Sequence, residues 1–472
     1  MPSAKLITYK IINALYHCQR KISVLVIVLV LINSTRSFSQ DNSPYSRYGL
    51  GDIVPSTNIN SRGMGGISSA YSDFLSINFN NPASYGSFQT LKELGAKKIM
   101  QGRAILDIGV NIENRTLREP DNVEKFTASN LLFSHIQIGV PLKSNWGLTF
   151  GLRPITRIGY QMVNGQQLYD PNTGLRIDSA VTLSEGNGGL FLASVGLGHR
   201  IAINNDQSLS IGMNGGYLFG QQDYSTRRSI LNDSLSYASA NYQSTTSYGN
   251  LYFNTGMQYQ AKLARDLYLT IGANGNWKQQ LNATQDNKKE TYFFNESTGF
   301  ARLDSVYEQK NIKGKIVYPG ALTIGFIIEK FVTAKQGGWL VGIDYVQVKS
   351  SDYRSYGQAD PAVKDKWELR AGAQIRPVPK SNFFSNVSYR AGVFFGPDYI
   401  YINEKLPVFG TSFGLGLPIR NFNRVSEQFT VVNLAFDFIR RGNNDNVLKD
   451  NMFRISAGFS LSDLWFSKRK YN

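Results

Sequence analysis

Histidine and cysteine, two of the side chains that most often carry out catalysis or bind metals, are scarce in this chain. Its 472 residues include three histidines and one cysteine. His135 and His199 lie far apart, and neither has the spacing to a serine and a carboxylate that would predict a hydrolytic triad. His135 shares a polar alternating face with Gln137, where we expect a hydrogen-bonded histidine in the protein interior. We predict no catalytic residue and no enzyme activity.

Two short motifs resemble ligand-binding loops but lack a required feature. The sequence DPNTG at residues 170–174 has oxygen ligands at alternating positions, but it lacks the distal glutamate that closes a calcium loop. The glycines within residues 63–66 do not join a strand to a helix, as a phosphate-binding loop requires. We therefore predict no metal site and no cofactor.

The N-terminal region has the composition of an export signal. Basic residues precede an apolar run of eleven residues, 22–32. The sequence SFS at 37–39 provides small residues at the positions that a signal peptidase recognises. We predict a signal peptide over residues 1–39, cleaved before Gln40, with an uncleaved membrane anchor as the alternative. Because Cys18 lies in this leader, the mature chain is expected to hold no disulfide.

The composition favours a β-rich protein at a membrane. Charged residues make up 18% of the chain, below the roughly 25% of soluble domains, and aromatic residues make up 12%. No run of 18 apolar residues exists, which excludes a helical multi-span membrane protein. Without the leader, 45 basic and 34 acidic residues give a net charge of +11. We expect this charge to face outer-membrane lipids and lipopolysaccharide phosphates, and no nucleic acid, because no basic cluster is interleaved with aromatic residues.

Apolar and polar residues alternate with a period of two from about residue 99 to the C-terminus. In residues 452–462, for example, Phe453, Ile455 and Phe459 alternate with Arg454 and Ser456. This periodicity is typical of strands. It predicts fourteen of them, at residues 101–117, 127–141, 145–161, 188–203, 207–226, 243–262, 267–283, 313–330, 338–353, 365–377, 387–400, 407–418, 428–441 and 451–464.

The connections between the predicted strands alternate in length. Those after even-numbered strands are mostly short, whereas those after strands 3, 5, 7 and 9 run roughly 11 to 30 residues, the asymmetry of outer-membrane barrels. We predict an all-β fold, a 14-stranded antiparallel transmembrane β-barrel over residues 99–466, with a basic C-terminal tail at 467–472. Polar residues such as Asp344 and Arg370 should line its lumen. The soluble alternative is an exported β-sandwich or propeller, whose strands average about five or six residues.

Residues 40–98 differ in character from the rest of the mature chain. They are rich in glycine, asparagine and serine, and they show no long alternation. The segment is too small for an independent domain and too apolar for a free tail. We predict that it forms a hatch inside the barrel, in which Pro82 turns the chain while Asn80 and Asn81 satisfy freed backbone groups.

The hatch sequence resembles a known family. RGMGGISSAYSDFLSINFNNPAS, residues 62–84, is similar to the N-terminal hatch of FadL-type outer-membrane proteins, and PYSRYGLGD, residues 44–52, is similar to Bacteroidota branches of that family. Such proteins have fourteen strands and an Asn-Pro-Ala motif after a stretch of small residues. The matching positions are Asn81, Pro82 and Ala83, preceded by Gly65, Gly66, Ala70 and Asp73. The resemblance implies transport of long-chain fatty acids or similar hydrophobic compounds across the bacterial outer membrane.

The third predicted strand contains the pair Arg153-Pro154. A proline in a strand removes one ladder hydrogen bond, so a kink or gap in the wall should follow. In FadL-like proteins the third strand is kinked and forms a lateral exit to the bilayer, which makes this pair a candidate lateral gate. A bulge without any role in transport is the alternative.

Two functions from different classes remain open on the sequence alone. The first is a channel for passive uptake of a hydrophobic small-molecule ligand. The second is a non-transporting barrel subunit of a secretion or outer-membrane assembly complex, with other outer-membrane or secretion proteins as partners, since fold alone does not separate these roles.

Overall fold

A computed structural model describes residues 43–92, 99–120, 124–231, 237–295, 299–419 and 429–467. The predicted signal peptide and residues 468–472 of the predicted tail lie outside these ranges. Within them, no helix combines the length and the apolar character needed to cross a bilayer.

The N-terminal part of the described chain contains only short elements. They are β1 (Asp52–Ile53), α1 (Ile59–Arg62), β2 (Thr90–Lys92) and two 3-10 helices, Pro44–Arg47 and Pro82–Ser87. We call residues 43–92 the hatch. The side chain of Asn58 caps α1 by accepting a hydrogen bond from the Ser61 amide at 3.0 Å.

The rest of the chain is built from strands. They are β3 (Ile99–Arg118), β4 (Lys125–Lys143), β5 (Trp146–Tyr169), β6 (Arg176–Ala202), β7 (Gln207–Leu231), β8 (Ser239–Ala264), β9 (Leu267–Asn276), β10 (Gln279–Asn295), β11 (Gly299–Tyr318), β12 (Ala321–Lys330), β13 (Gly338–Val348), β14 (Arg354–Ser355), β15 (Lys366–Arg376), β16 (Ser388–Ile402), β17 (Glu404–Ile419), β18 (Phe429–Arg441) and β19 (Lys449–Ser467).

These strands form a closed antiparallel barrel. Three wall strands are interrupted, so that β9 with β10, β11 with β12, and β13 with β14 each act as one strand. Counted in this way, each strand pairs with its neighbours in chain order, and β19 pairs with β3 to close the wall. The predicted fourteen-stranded barrel is therefore confirmed. Closure pairs the first and last strands, which would otherwise be unpaired edges. A wall in hydrocarbon requires this pairing because lipid chains offer no hydrogen-bond partners.

Side chains alternate between the two faces of the wall as expected for such a barrel. On β13, Trp339, Val341 and Ile343 point outward and are 38–49% exposed, whereas Leu340 and Asp344 point inward and are buried. An apolar exterior and a polar interior suit a barrel with lipid outside and a filled lumen inside.

One sequence expectation about the connections was wrong. The long loops predicted between strands 3 and 4 and between strands 7 and 8 are mostly paired strand. β5 and β6 continue to a turn at residues 170–175, and β10 and β11 pair as far as Asn295 and Gly299. These extensions carry polar residues on both faces. Their alternation of apolar and polar residues is therefore lost, although the backbone pairing continues.

The hatch meets the wall through close backbone approaches at glycines. A Cβ atom at Gly372 would overlap the Met64 carbonyl, one at Gly392 the Gly65 amide, and one at Gly272 the Ser69 carbonyl. Glycine alone allows the two backbones to lie this close. The inward-facing glycines of the wall therefore form a groove into which the hatch chain fits.

A side chain at Gly372 should release the hatch while the barrel stays folded. Gly372→Leu overpacks the contact with Met64, at a cost of about 1–3 kcal/mol or more. Heat-modifiable gel migration should persist, while limited trypsin digestion should cut after Arg62, which is buried in the hatch. The control is Gly215→Leu, because a Cβ atom there meets only the Phe253 ring, at 3.5 Å. A hatch as protected in the Gly372 variant as in the control would contradict this contact.

Candidate functional site

The Asn-Pro-Ala motif turns the hatch chain and ties it to the wall. The buried Asn81 side chain accepts a hydrogen bond from the Ala83 amide at 3.0 Å and begins the 3-10 helix Pro82–Ser87. Its Nδ2 donates to the Ser69 carbonyl at 2.5 Å and reaches the wall carbonyl of Met257 at 3.4 Å. Because Pro82 has no N–H, the helix begins without an unpaired donor at that position.

The neighbouring predicted hatch residues make further contacts between hatch and wall. Asn80 donates to the Ser68 hydroxyl at 2.7 Å, and its carbonyl accepts from Asn254 of β8 at 3.2 Å. Gly65 and Gly66 both have positive φ angles, +68° and +86°, which favour glycine. The Gly65 amide donates to Ser412 of β17 at 2.7 Å.

Two carboxylates organise the same region. Asp344 of β13, fully buried, accepts hydrogen bonds from the amides of Ser68 and Ser69 at 2.7 and 2.9 Å. The predicted hatch residue Asp73 accepts from the Leu75 amide at 3.0 Å and forms an ion pair with Arg376 of β15 at 3.7 Å. Asp344, a residue predicted to line the lumen, and Arg376 therefore bind the hatch.

A buried ion-pair network, which no sequence motif indicated, holds the start of the hatch. Asp52 of β1 lies 3.1 Å from Arg115 of β3 and 2.9 Å from Arg441 of β18. Arg115 also pairs with Asp450 at 2.9 Å, and Arg441 with Asp398 at 2.5 Å. Burial alone would raise the pKa of the Asp52 carboxyl, but the guanidinium groups of Arg441 and Arg115 outweigh burial and hold this pKa below its ordinary range.

The wall is interrupted beside Arg153-Pro154. The ladder between β4 and β5 runs from the pair Lys143–Trp146 to the pair Ile136–Leu152, and among the described residues it continues no further. β5 itself goes on pairing with β6 up to Tyr169, with an irregularity just after Pro154. The two strands therefore separate next to the proline.

The hatch takes the place of β4 along the free edge of β5. In β1, Asp52 pairs with Arg157 and Ile53 pairs with Thr156. The Val54 amide donates to the Ile155 carbonyl at 3.0 Å. A short stretch of hatch thus supplies backbone partners to the part of β5 that has left β4.

Arg153 connects this opening to the hatch. Its Nη1 donates to the Ser56 carbonyl at 3.0 Å, and its guanidinium carbon lies 5.0 Å from the centroid of the Phe79 ring. Both contacts are to hatch residues. They fix the end of the β4–β5 ladder to the polypeptide that fills the lumen.

Two cavities lie on either side of the hatch segment 53–56. One has a volume of about 170 Å³ and a largely apolar lining, and it reaches Ile155 and Thr156 of β5. The other, of about 190 Å³, is lined by the charged groups around Asp52. Ile53, Val54 and Ser56 border both cavities, as do the wall residues Lys366, Arg370 and Tyr399, so an apolar and a charged compartment adjoin at this segment.

The two histidines occupy unrelated positions. His135 of β4 is fully buried, with its Nδ1 3.1 Å from the Ser134 hydroxyl and its Nε2 3.4 Å from Asp107. His199 of β6 stacks on Trp146 with ring centroids 4.2 Å apart. In the described part of the chain, no group of three His, Cys, Asp or Glu side chains is placed to hold a metal ion.

Removing the charge of Asp52 should loosen the hatch. In Asp52→Asn, Arg115 and Arg441 lose a shared buried counter-charge, a loss that costs about 3 kcal/mol. We expect a lower temperature for the heat-modifiable gel shift and faster trypsin cleavage after Arg47. The control is Asp206→Asn, which removes only an exposed ion pair with Lys262. If both variants behave alike, the network does not hold the hatch.

Comparisons with known proteins give one family match and several similar solved structures. A family profile described as BamG matches residues 20–472. A search of curated proteins finds no match. Similar solved structures include the CymD monoaromatic hydrocarbon channel, at 13% identity with 89% of this chain and 99% of that chain covered and a TM-score of 0.46.

Two further similar structures are a Pseudomonas aeruginosa FadL homologue (13% identity, 88% of this chain and 99% of that chain, TM-score 0.48) and the P. putida toluene transporter TodX (14% identity, 89% and 99%, TM-score 0.45). A homologue of FadL, the type of protein that residues 62–84 resemble, is thus among the similar structures. The fold itself rests on the strand pairing described above. The chain is a β-barrel of the outer-membrane type and belongs to the BamG family.

Proposed function

We propose that this protein is a passive outer-membrane channel for small hydrophobic molecules such as long-chain fatty acids. The supporting observation is the position of the apolar cavity, which borders Ile155 and Thr156 at the point where β5 has left β4. A ligand in this cavity is separated from the interrupted wall by a short stretch of hatch. In this proposal the ligand enters from the loop side and leaves near Pro154.

The hatch is the moving part of this proposal. A cavity of about 170 Å³ holds a small apolar molecule, whereas a longer chain requires the bordering hatch residues 49–56 to shift. Their pairing with β5 is short, and the ion pairs of Asp52 add the main electrostatic restraint. Because residues 49–56 border the apolar cavity directly and their backbone pairing with β5 is short, this segment is expected to move first.

Pro154→Ala tests the lateral route. The alanine restores a backbone donor, worth roughly 0.5–1.5 kcal/mol for one hydrogen bond, and favours extension of the β4–β5 ladder. Folding should survive, and uptake of a labelled fatty acid or aromatic hydrocarbon should fall sharply. Pro418→Ala in β17, at a position where that strand pairs with Val431 of β18 and lies far from the β4–β5 opening in sequence, is the matched control. Normal uptake through a wall shown to be closed would refute lateral exit.

A second candidate is a barrel subunit of an outer-membrane assembly complex. The family description BamG suggests this link. A structural feature also favours it, since β5 to β8 and β10 to β11 extend beyond the turns of the other strands and offer a large polar sheet to a partner. A subunit of this kind needs neither the apolar cavity nor an opening in the wall.

One comparison separates the two candidates. A channel predicts that a knockout strain loses uptake of the labelled compound, and that deletion of residues 62–84 changes it. An assembly subunit predicts unaltered uptake in both strains, together with stoichiometric large partners that copurify with the tagged full-length chain. Unaltered uptake in both strains would therefore count against the channel.

A further inference from the structure

The largely apolar cavity beside β5 is bordered by two polar side-chain atoms that have no hydrogen-bond partner. Thr156 of β5 and Asn274 of β9 both line this cavity, and they are only 5% and 6% exposed. Among the described residues, neither the Thr156 Oγ1 nor the Asn274 Oδ1 has a partner. Leaving a buried polar atom unpaired is costly, so these two atoms point to a polar group in the cavity itself.

Three further asparagines line the same cavity, and each of them donates its side-chain amide within the protein. Asn80 donates to a hatch hydroxyl, Asn254 to the Asn80 carbonyl at 3.2 Å, and Asn276 to the Pro319 carbonyl at 3.0 Å. Asn274 lies two residues before Asn276 on β9 and therefore on the same face of the strand. Its unpartnered oxygen is thus particular to this position.

The charges at the edge of the cavity do not favour a carboxylate ligand. Lys366 and Arg370 both pair with the buried Glu368, at 2.9 and 2.6 Å. The Asn274 Oδ1 is an acceptor, and an ionised carboxylate has no proton to donate to it. A hydroxyl, by contrast, donates to an amide oxygen and also accepts a hydrogen bond. The cavity therefore suits an uncharged ligand with a hydroxyl group.

The volume of the cavity limits the size of such a ligand. An apolar cavity of about 150 Å³ holds one benzene molecule, and this cavity has a volume of about 170 Å³. The rings of Tyr252 and Tyr318, with centroids 6.0 Å apart in an edge-to-face arrangement, supply apolar surface together with Ile155. A single ring with small substituents fits without any shift of the hatch.

We propose that this cavity binds a single-ring aromatic alcohol of the phenol class. The hydroxyl of the ligand donates to the Asn274 Oδ1, and the Thr156 hydroxyl offers it a second partner. The ring packs against Ile155 and the two tyrosines. This inference names a ligand class for the channel proposed above and rests on that proposal, but binding is measured without transport.

Calorimetric titration of the purified protein with two ligands of the same shape tests the assignment. p-Cresol carries a hydroxyl where p-xylene carries a methyl group. Asn274→Leu and Thr156→Val remove the two polar atoms with little change in side-chain volume. The control is Thr246→Val, because Thr246 is also buried, at 6% exposure, but does not line this cavity.

We expect Asn274→Leu and Thr156→Val each to bind p-cresol about twofold to tenfold more weakly than the unmodified protein, the effect of one hydrogen bond. p-Xylene should bind as tightly as before or more tightly, and Thr246→Val should leave both affinities unchanged. Each ligand is compared between proteins, so its partition into detergent cancels. Thr156→Val carries the test if Asn274→Leu loses heat-modifiable gel migration.

Equal changes for the two ligands would show that water satisfies the two oxygens and would overturn the assignment, as would benzoate that binds as tightly as p-cresol. Uptake by cells separates this failure from failure of the channel. If p-xylene uptake is lost in a knockout strain while the protein shows no preference for p-cresol, the channel stands and the phenol class is refuted. If uptake of both compounds is unaltered in the knockout, the channel is refuted, while selective p-cresol binding would still support the site.

Discussion

Every backbone N–H and C=O that lies in the bilayer needs a hydrogen-bond partner, and the architecture of this protein follows from that constraint. Fourteen strands supply partners to one another, and the pair β3–β19 closes the circle. Because most wall strands are paired on both sides along much of their length, the described region where β4 and β5 part is conspicuous. The hatch strand β1 satisfies the same constraint, because it pairs with the part of β5 that has left β4.

The hatch fills the lumen, so its polar groups are removed from water and need hydrogen-bond partners within the protein. Arg62 illustrates how they are satisfied: although 4% exposed, it donates to the Thr57 carbonyl at 3.0 Å, Asn111 at 2.6 Å and Ser134 at 2.7 Å. The buried Asp344 accepts from two hatch amides. Such contacts leave few unpaired groups and fix one orientation of the hatch, since a shifted hatch would bury unsatisfied charges.

The barrel could be predicted from the sequence because its signal is local. An apolar alternation such as Phe453, Ile455 and Phe459 marks a strand that faces lipid on one side. Fourteen such segments were recognised, which is the number of strands in the closed barrel. The extensions of β5 and β6 past residue 161 escaped prediction, since a ladder in water has no apolar face to mark it. Pairing in these extensions depends on the partner strand, and the sequence of one strand alone does not indicate its partner.

The candidate site could be predicted only in part. Asn81 and Pro82 stood out because a motif carried them, and the Arg153-Pro154 pair because proline interrupts a strand. Their roles in transport stay predictions. The network of Asp52, Arg115 and Arg441 went unnoticed, because its members are distant in sequence and charged residues at isolated positions carry no local signal.

The separation of β4 from β5 is the claim on which the proposed channel and the position of the hatch strand β1 both depend. Disulfide trapping measures it directly, since the chain after the predicted cleavage site holds no native cysteine. Cysteines at Ile138 and Phe150, which are paired, should cross-link under mild oxidation. Cysteines at Thr127 and Gln161, which would pair if the ladder continued in register, should not, because Cα atoms more than about 7 Å apart cannot be bridged. Efficient cross-linking of both pairs would contradict an interrupted wall.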